Sequence, residues 1–583
     1  MVDVERIEVK LRVLPLLLGN LHVENLVLIR PDILLETLGD GRGNWIMGPE
    51  GAVAKVVSEQ GPEESSPSGV LPQVHRMTII EAKFSYRDGK SGETQSLSLP
   101  EVQLWGDDDS DGALNLSVAG QFNNIPLKVN GKLTTLGALA DNEPIEINLL
   151  TAIAGSEVQV SGSVASPLDG KGLALMLDLS TPDLATIGEL AGVPLSHSAL
   201  KLKATLKDND GGFDLSGLQV GLGGSDVMGD IRIALGQTIP NINIALQSEK
   251  FSLADVFPEQ KGEAMKEATA KDAKAKKAGS KKQEKRVFPA DPIDVKTLKS
   301  IDADISYKAK RFFMPGMALM NMDVQAQLKG GVLKLSSFKA GLGGGTLNTT
   351  MALRANKLPA SFDLAVKGRG IDSGRALAEG SGKKEKGMME GGSLNADVSL
   401  KGKGRSIAEI MAHSNGRIKV RLGKAKVKSD AMNMVGGDVL MSLVDKLNPF
   451  AESKDYMDLQ CGVVHFRIND GLMVSEDGIA IETDRMNILS EGEVNLKNES
   501  INLSIGTEPR DGIGVNLSNM VNVVKLGGTL AEPGVAMDVG KSGMAAARVA
   551  GALATGGLSL LGEGLFDRAT ADSSPCKTAL DMK

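Results

Sequence analysis

The feature that most constrains this chain is a period of two. Apolar and polar residues alternate along most of its 583 residues. Successive strand side chains point to opposite faces, so alternation marks a strand with one dry face and one wet face. The clearest runs are Leu173, Leu175, Leu177 and Leu179, then Leu200, Leu202, Ala204 and Leu206. Ile231, Ile233 and Leu235 follow, with Ile242, Ile244 and Leu246 close behind. Later runs are Phe362, Leu364 and Val366, then Leu394, Ala396, Val398 and Leu400, then Ile501, Leu503 and Ile505. Gly, Asn and Asp separate the runs about every ten residues, as antiparallel hairpins require. The chain is expected to be mainly β: a long curled antiparallel sheet forming an elongated apolar groove, with a few helices toward the C-terminus.

An internal repeat supports this reading. Residues 215–235 read LSGLQVGLGGSDVMGDIRIAL, and residues 335–353 read LSSFKAGLGGGTLNTTMAL. Looser copies start at Ile153 and Met486. Each unit reads as strand, turn, strand. A lone hairpin cannot bury its face, so stacked units are the expected architecture.

Composition narrows the function. Phe, Tyr and Trp number 13, 3 and 2, too few for a base-stacking platform. The net charge of −8 argues against a polyanion-binding chain, so no nucleic acid partner is expected. No segment reads as a membrane span. Residues 1–10 are charged and alternating, unlike a signal peptide. Residues 543–566 are mostly Ala, Gly and Leu but include Arg548, Glu563 and several glycines. An amphipathic helix, a span and a loop are the readings open there. Other helical spacings occur at 406–413 and in the Met-rich 432–447, which reads as core or as a lipid or partner surface.

Two stretches interrupt the alternation. Residues 261–286 hold nine Lys, one Arg and four acids, a local +6. Such a tract reads as a solvated linker or as a contact for anionic headgroups. Residues 381–392 form a shorter break, and 61–69 a loop. The expected division is 1–257 as the N-terminal part of the groove, 258–290 as a Lys-rich flexible linker and 291–380 as groove repeats. A short linker at 381–392 and a C-terminal region at 393–583 complete it.

No catalytic constellation can be assembled, so no enzyme is expected. Gly540-Lys541-Ser542 lacks the glycine of a phosphate loop at the required place. The runs at 221–224 and 341–345 sit between strands and read as hairpin turns. Asp107, Asp109, Asp111 and Gly112 copy the start of a calcium loop, but Val118 stands where the bidentate Glu belongs. The five His are scattered. No metal and no cofactor are expected. Cys461 and Cys576 are the two cysteines. One disulfide would close a long loop and tie the tail to the strand at 461–468. Two free thiols are the other reading, and the polar surroundings of Cys576 favour the bridge.

Residues 13–45 read VLPLLLGNLHVENLVLIRPDILLETLGDGRGNW. This resembles the AsmA family through Pro15-Leu16-Leu17, Gly19, Val23, Leu26, Leu28, Pro31, Ile33, Leu35, Gly41 and Gly43-Asn44-Trp45. The C-terminal part is similar too. It carries Leu459-Gln460-Cys461, Asn469-Asp470-Gly471, Ile481-Glu482-Thr483, Gly492-Glu493-Val494-Asn495-Leu496, Leu526-Gly527-Gly528-Thr529-Leu530 and Pro533. Cys576 matches a family tail that often holds a cysteine. The resemblance implies a Gram-negative envelope protein, inner-membrane associated and periplasmic, with a repeating β-groove. It implies a role in phospholipid traffic and outer-membrane homeostasis, with phospholipids or other acyl lipids, both membrane surfaces and envelope assembly proteins as partners. Family members usually open with a membrane helix. This chain begins inside the stretch that follows, so its groove is expected to be truncated at the start, with no evident anchor.

The residues agree with such a groove. Aliphatic side chains can hold acyl tails out of water at ~0.8 kcal/mol per methylene. Thirty strands at ~4.8 Å would give a body ~140 Å long. The lining candidates are the alternating residues 173–179, 231–235, 242–246, 362–366 and 501–505 named above. An elongated scaffold assisting outer-membrane protein assembly, carrying no stoichiometric lipid, is the alternative.

Overall fold

In a computed structural model the chain is mainly β, as its alternation demands. The structure describes residues 2–13, 22–37, 44, 73–74, 76–89, 92, 94–106, 113–134, 138, 142–209, 211–236, 238–258, 286–381, 389–428, 456–484, 486–509, 524–537, 572 and 574–581. The readings at 61–69, 107–112, 432–447 and 540–566 lie outside these residues, as does most of 261–286. Two compact units emerge. One comprises 1–236 with 255–258, the other 237–254 with 259–583.

The first unit holds β1 (Val2–Leu11), β2 (His22–Glu36), β3 (Gln73–Val74), β4 (Arg76–Arg87), β5 (Thr94–Gly106) and β6 (Leu114–Phe122). It continues with β7 (Ile125–Leu133), β8 (Ile145–Ile153), β9 (Ser156–Ser166), β10 (Lys171–Thr181), β11 (Leu200–Asn209), β12 (Gly212–Leu222) and β13 (Ser225–Ala234). From β4 to β13 each strand pairs antiparallel with the next. β1 pairs antiparallel with β2, whereas β2 runs parallel to β3 and β4.

The second unit holds β14 (Asn241–Ser252), β15 (Asp302–Met314), β16 (Met317–Lys329), β17 (Val332–Leu342), β18 (Gly345–Arg354), β19 (Ala360–Asp372), β20 (Met389–Gly391) and β21 (Ser393–Gly404). Beyond these lie β22 (Asn415–Leu422), β23 (Ala425–Lys428), β24 (Tyr456–Asn469), β25 (Leu472–Thr483), β26 (Met486–Asn495), β27 (Ser500–Pro509), β28 (Val524–Gly528) and β29 (Pro533–Met537). Pairing is antiparallel throughout, except that β14 and β15 are parallel. The two parallel joints correct the all-antiparallel expectation. At each, a long connection returns the chain to the same end of the sheet before the next main strand begins, which a hairpin cannot do. β22 and β23 lie end to end along β24, and β20 pairs with β23. No pairing among the described residues closes a barrel.

The repeated motifs are the hairpins β12–β13 and β17–β18, closed at Leu222↔Ser225 and Leu342↔Gly345. Gly223, Gly343 and Gly344 adopt positive φ at these turns (56°, 52° and 79°), a region glycine enters without strain. Within strands, Arg30, Glu81, Gly217, Asn321, Gly370 and Asp477 are left-handed too. Register shifts at Leu215/Leu218, Met320/Asp323, Gly368/Ile371 and Ser475/Ile479 mark four of these as bulges. A bulge bends its strand and raises the local twist, so their recurrence curls the sheet.

Three of the short helices sit at strand ends. α1 (Leu184–Ala191) follows β10 and is capped by Asp183 and Gly192. α2 (Val295–Lys299) precedes β15, and α3 (Ser373–Ser381) follows β19. α4 (Ile407–Ala412) fills the turn after β21, where glycine at 402 and 404 lets Ile410 pack against the strand. α5 (Pro575–Asp581) instead lies on β24 and β25.

Candidate functional site

Cross-strand register turns the alternation into continuous apolar rows. Residues directly opposite share a face. In the first unit one row begins Ile7, Leu28, Ile79, Val102, Val118 and Val129. It continues through Thr151, Val158, Leu179, Leu202, Val220 and Val227. Twelve strands contribute, and Thr151 is the single polar side chain. A second row runs Val9, Leu26, Met77, Leu104, Leu116, Gly131, Leu149, Val160, Leu177 and Ala204, with no polar side chain.

The second unit repeats the device. Its row runs Ile244, Ile305, Ala326, Leu335, Met351 and Leu364. It continues through Leu400, Gly416, Ile468, Met473, Val494 and Ile501. Twelve strands meet here without one polar side chain. A parallel row joins Leu246, Tyr307, Val324, Phe338, Thr349, Val366, Val398, Ile418 and Phe466. Three of the few aromatic rings meet at its start. Phe251 stacks on Phe312 with ring centres 5.6 Å apart, and Tyr307 stands edge-on to both. The Tyr307 hydroxyl donates to Ser248 Oγ at 3.0 Å, which satisfies the phenol beside the apolar row.

The degree of burial along these rows matters more than their polarity. Of the sixteen residues expected to line a groove, fifteen are half-buried. Leu235 differs: it lies one residue past β13 and is 49% exposed. A packed interior would bury such aliphatics fully, and a flat open face would expose them. Half-burial on a curled sheet is what a lined trough produces.

The trough of the second unit is filled toward its C-terminal strands. Leu400, Phe466, Ile468, Val494 and Leu496 form a buried cluster, against which Phe362, Leu364, Ile501 and Leu503 pack. Phe288, Met411 and Leu530 reach this cluster from outside the strands. These four groove candidates therefore serve as walls of a local core as well as lining.

Phe288 belongs to a segment that sequence reasoning assigned to the flexible linker. Residues 286–290 instead lie along the strand ends. The Glu499 carboxylate, 2% exposed, accepts from Val287 N at 2.6 Å and Phe288 N at 3.2 Å. Arg286 Nε lies 3.6 Å from Glu499 Oε1, and its Nη2 donates to the Lys497 carbonyl at 2.6 Å. Ala408 N donates to the Pro289 carbonyl, and Ile293 N to that of Arg405. One buried acid thus pins a strap that sets a phenyl ring into the apolar face.

The opposite face of β24 is covered by α5. Cys461 and Cys576 are joined, with Cα atoms 6.5 Å apart and a sequence separation of 115. The bridge agrees with expectation, but the surroundings of Cys576 do not. It is buried with Val463, Ala480 and Ala579 rather than set in a polar tail. Charges match the helix ends: Cys576 N donates to Glu482 Oε1 at 2.9 Å, and Lys419 Nζ donates to the Leu580 carbonyl at 2.6 Å. His465 Nδ1 lies 3.3 Å from the Ala579 carbonyl. Burial, and to a lesser extent the charges of Lys419, Arg417 and Arg467, hold its pKa below the ordinary imidazole range.

A hollow of ≈ 530 Å³ crosses β17, β18, β19, β21 and β22. On most strands it touches three consecutive residues, such as Asp363, Leu364 and Ala365, but not the next lining residues Phe362 and Val366. Its lining includes Leu335, Met351, Leu364, Leu400 and Gly416, five consecutive members of the second unit's apolar row. Cys461, Glu482 and Cys576 cluster closely enough to hold a metal, but the disulfide occupies both sulfurs.

Motif residues 15–19, 41, 43 and 45 lie outside the described residues, and several of the others have structural tasks. Asn44 donates to the Leu34 carbonyl and accepts from Glu36 N, fastening the end of β2. Asp470 and Gly471 form the β24–β25 turn, Glu482 holds α5, and Leu530 packs on the buried cluster. The model of the AsmA family matches residues 195–477. Over 585 residues the chain is 24% identical to the AsmA family protein YhjG of Escherichia coli (strain K12), covering 95% of this chain and 82% of that one. No solved structure matches. The family recognised from the motifs is thus the one that the comparisons return, and it supports an envelope-related role. Among the described residues no helix is long and apolar enough to cross a membrane.

Proposed function

We propose that this protein is a periplasmic carrier or bridge for phospholipids that supports lipid homeostasis of the outer membrane. Acyl tails lie in the apolar trough and headgroups stay in water. The reading rests on one observation above all: a row of twelve strands, from Ile244 to Ile501, that presents no polar side chain. Half-burial of the lining supports it, because each methylene taken from water into such a face gains ~0.8 kcal/mol. A lining without hydrogen-bonding anchors suits tails that slide rather than one fixed ligand. No covalent step is involved, and no cofactor is called for.

The test is lipid carried by the purified protein. Leu175→Asp, Ile233→Asp and Ile244→Asp each place a carboxylate in the trough and are expected to abolish co-purifying lipid while the protein stays folded. Unchanged lipid in all three refutes the reading. The buried cluster around Phe466 favours a second reading for the C-terminal strands, a filled scaffold for envelope assembly. Native mass spectrometry separates the two, since a scaffold carries no stoichiometric lipid.

A further inference from the structure

We propose that the polar face of β21 and β22 docks on an anionic bilayer surface. The chain as a whole carries −8, yet residues 393–428 hold nine Lys and Arg against two acids, Asp397 and Glu409. β22 concentrates them. Its polar face carries Asn415, Arg417, Lys419 and Arg421, with no acid among them. Register sets Arg417 opposite Arg467 and Lys419 opposite His465 on β24. Arg417 and Arg467 are like charges directly opposite, which a sheet does not favour, whereas Lys419 faces Asp397 on β21 and holds the Leu580 carbonyl of α5. Arg417 and Arg421 are exposed and make no ion pair among the described residues. Lys401 and Lys403 extend the charge along β21, and both are exposed. The lowered pKa of His465 reports the same positive field, which adds to its burial.

The chemistry favours a bilayer over other polyanions. Protein interfaces are built around apolar and aromatic centres and deplete charge there. The polar faces of β21 and β22 carry no aromatic side chain and are rich in charge. The aromatic platform expected of a single-strand binder is missing from these faces as well. Long, flexible cations spread over a sheet face suit a diffuse layer of headgroups, where each contributes additively near the surface. This surface is separate from the trough, so it does not rest on lipid being carried there.

The test uses the full chain and vesicles of phosphatidylcholine, alone or with one third phosphatidylglycerol. Co-sedimentation is expected only with the anionic vesicles and should weaken as salt shortens the screening length. Arg417→Gln with Arg421→Gln is expected to lower affinity about thirtyfold, the loss of two near-surface charges. Lys201→Gln with Lys207→Gln, on the exposed polar face of β11, should leave it unchanged. Circular dichroism and an intact disulfide establish folding of each variant, and co-purifying lipid, measured in the same samples, should not change. Equal binding to both vesicles overturns the proposal, as does full binding by the arginine variant or equal loss in the lysine variant. Competition by millimolar inorganic phosphate would point to a discrete anion pocket and overturn it. So would arginine-dependent binding to polyglutamate without vesicle binding, which indicates an acidic protein partner. If vesicles bind as expected but no lipid co-purifies, the carrier reading fails and this one stands.

Discussion

Leu177 offers the sharpest test of the trough. It stands half-buried on β10, opposite Val160 on β9 and Ala204 on β11, inside a row of ten strands with no polar side chain. At ~4.8 Å per strand that row is about 43 Å across. In Leu177→Asp, the carboxylate keeps its hydration and forces water onto the neighbouring part of the row. If about four methylenes of a bound tail lose their dry contact, the cost is ~3.2 kcal/mol. That corresponds to roughly a 200-fold loss of affinity. The cost to folding should be smaller, about 1 kcal/mol, because the leucine is only half removed from water. Met176, the next residue, projects from the other face and is 61% exposed, so Met176→Asp is the matched control. Displacement of an environment-sensitive fluorescent fatty acid from each purified variant measures the effect. The reasoning is refuted if Leu177→Asp binds the probe like the wild type, or if Met176→Asp loses it equally.

Three further outcomes follow from the covered ends of the second unit. Replacing Cys461 and Cys576 by serine opens a loop of 115 residues, worth about 4.7 kcal/mol in the chain-entropy account. Amides of α5 and of β24 near Val463 should then exchange faster, and unchanged exchange would mean that packing alone holds the helix. Glu499→Gln leaves the strap amides a weaker acceptor, so protease cleavage near residues 286–290 should rise, reflecting a loss of about 1–3 kcal/mol. The docking of α5 should also weaken as pH falls. The folded pKa of His465 is lowered, so the undocked imidazole takes its proton first, and stability is lost as pH drops below about 6.5 toward the folded value. Exchange rates of α5 against pH measure this, and His465→Asn should flatten the profile.

The sequence was most legible where local chemistry decides structure. Alternation fixes which residues share a face, and the Gly223 and Gly343-Gly344 turns announce their hairpins, so individual strands could be read directly. Partnership between distant segments could not. The parallel joints β2–β4 and β14–β15 depend on where a long connection sends the chain, and alternation is identical for either direction. Bulges at Asn321 and Asp477 lack the glycine that betrays those at Gly217 and Gly370. The strap escaped because a Lys-rich tract hides the single Phe288 that anchors it, and the acid holding it lies some 211 residues away. α1 was missed although Asp183 and Gly192 flag both its ends, because eight residues are too few for the periodic signal to emerge. The disulfide was expected for the wrong reason: the tail looks polar in sequence, yet α5 buries Cys576 by folding onto β24.

Half-burial also bears on how a carrier differs from a scaffold made of the same strands. A scaffold would gain by closing its apolar face, since every exposed methylene costs it stability. The second unit does this at its C-terminal strands, where Phe288 and Leu530 complete a buried cluster. Among the described residues it does not do so along Ile244, Ile305, Ala326 and Leu335, nor does the first unit along Leu173 to Leu179. Within the second unit the same row of side chains is therefore finished at one end and left open at the other. Phenylalanines join buried clusters elsewhere as well, Phe84 in the first unit and Phe312 and Phe338 in the second, yet the lining along the open part of the row stays half-buried. Acyl tails match that surface in polarity and need no fixed anchor. Wherever the row is open, lipid contact should protect the lining from water, whereas the filled end should look the same with and without lipid.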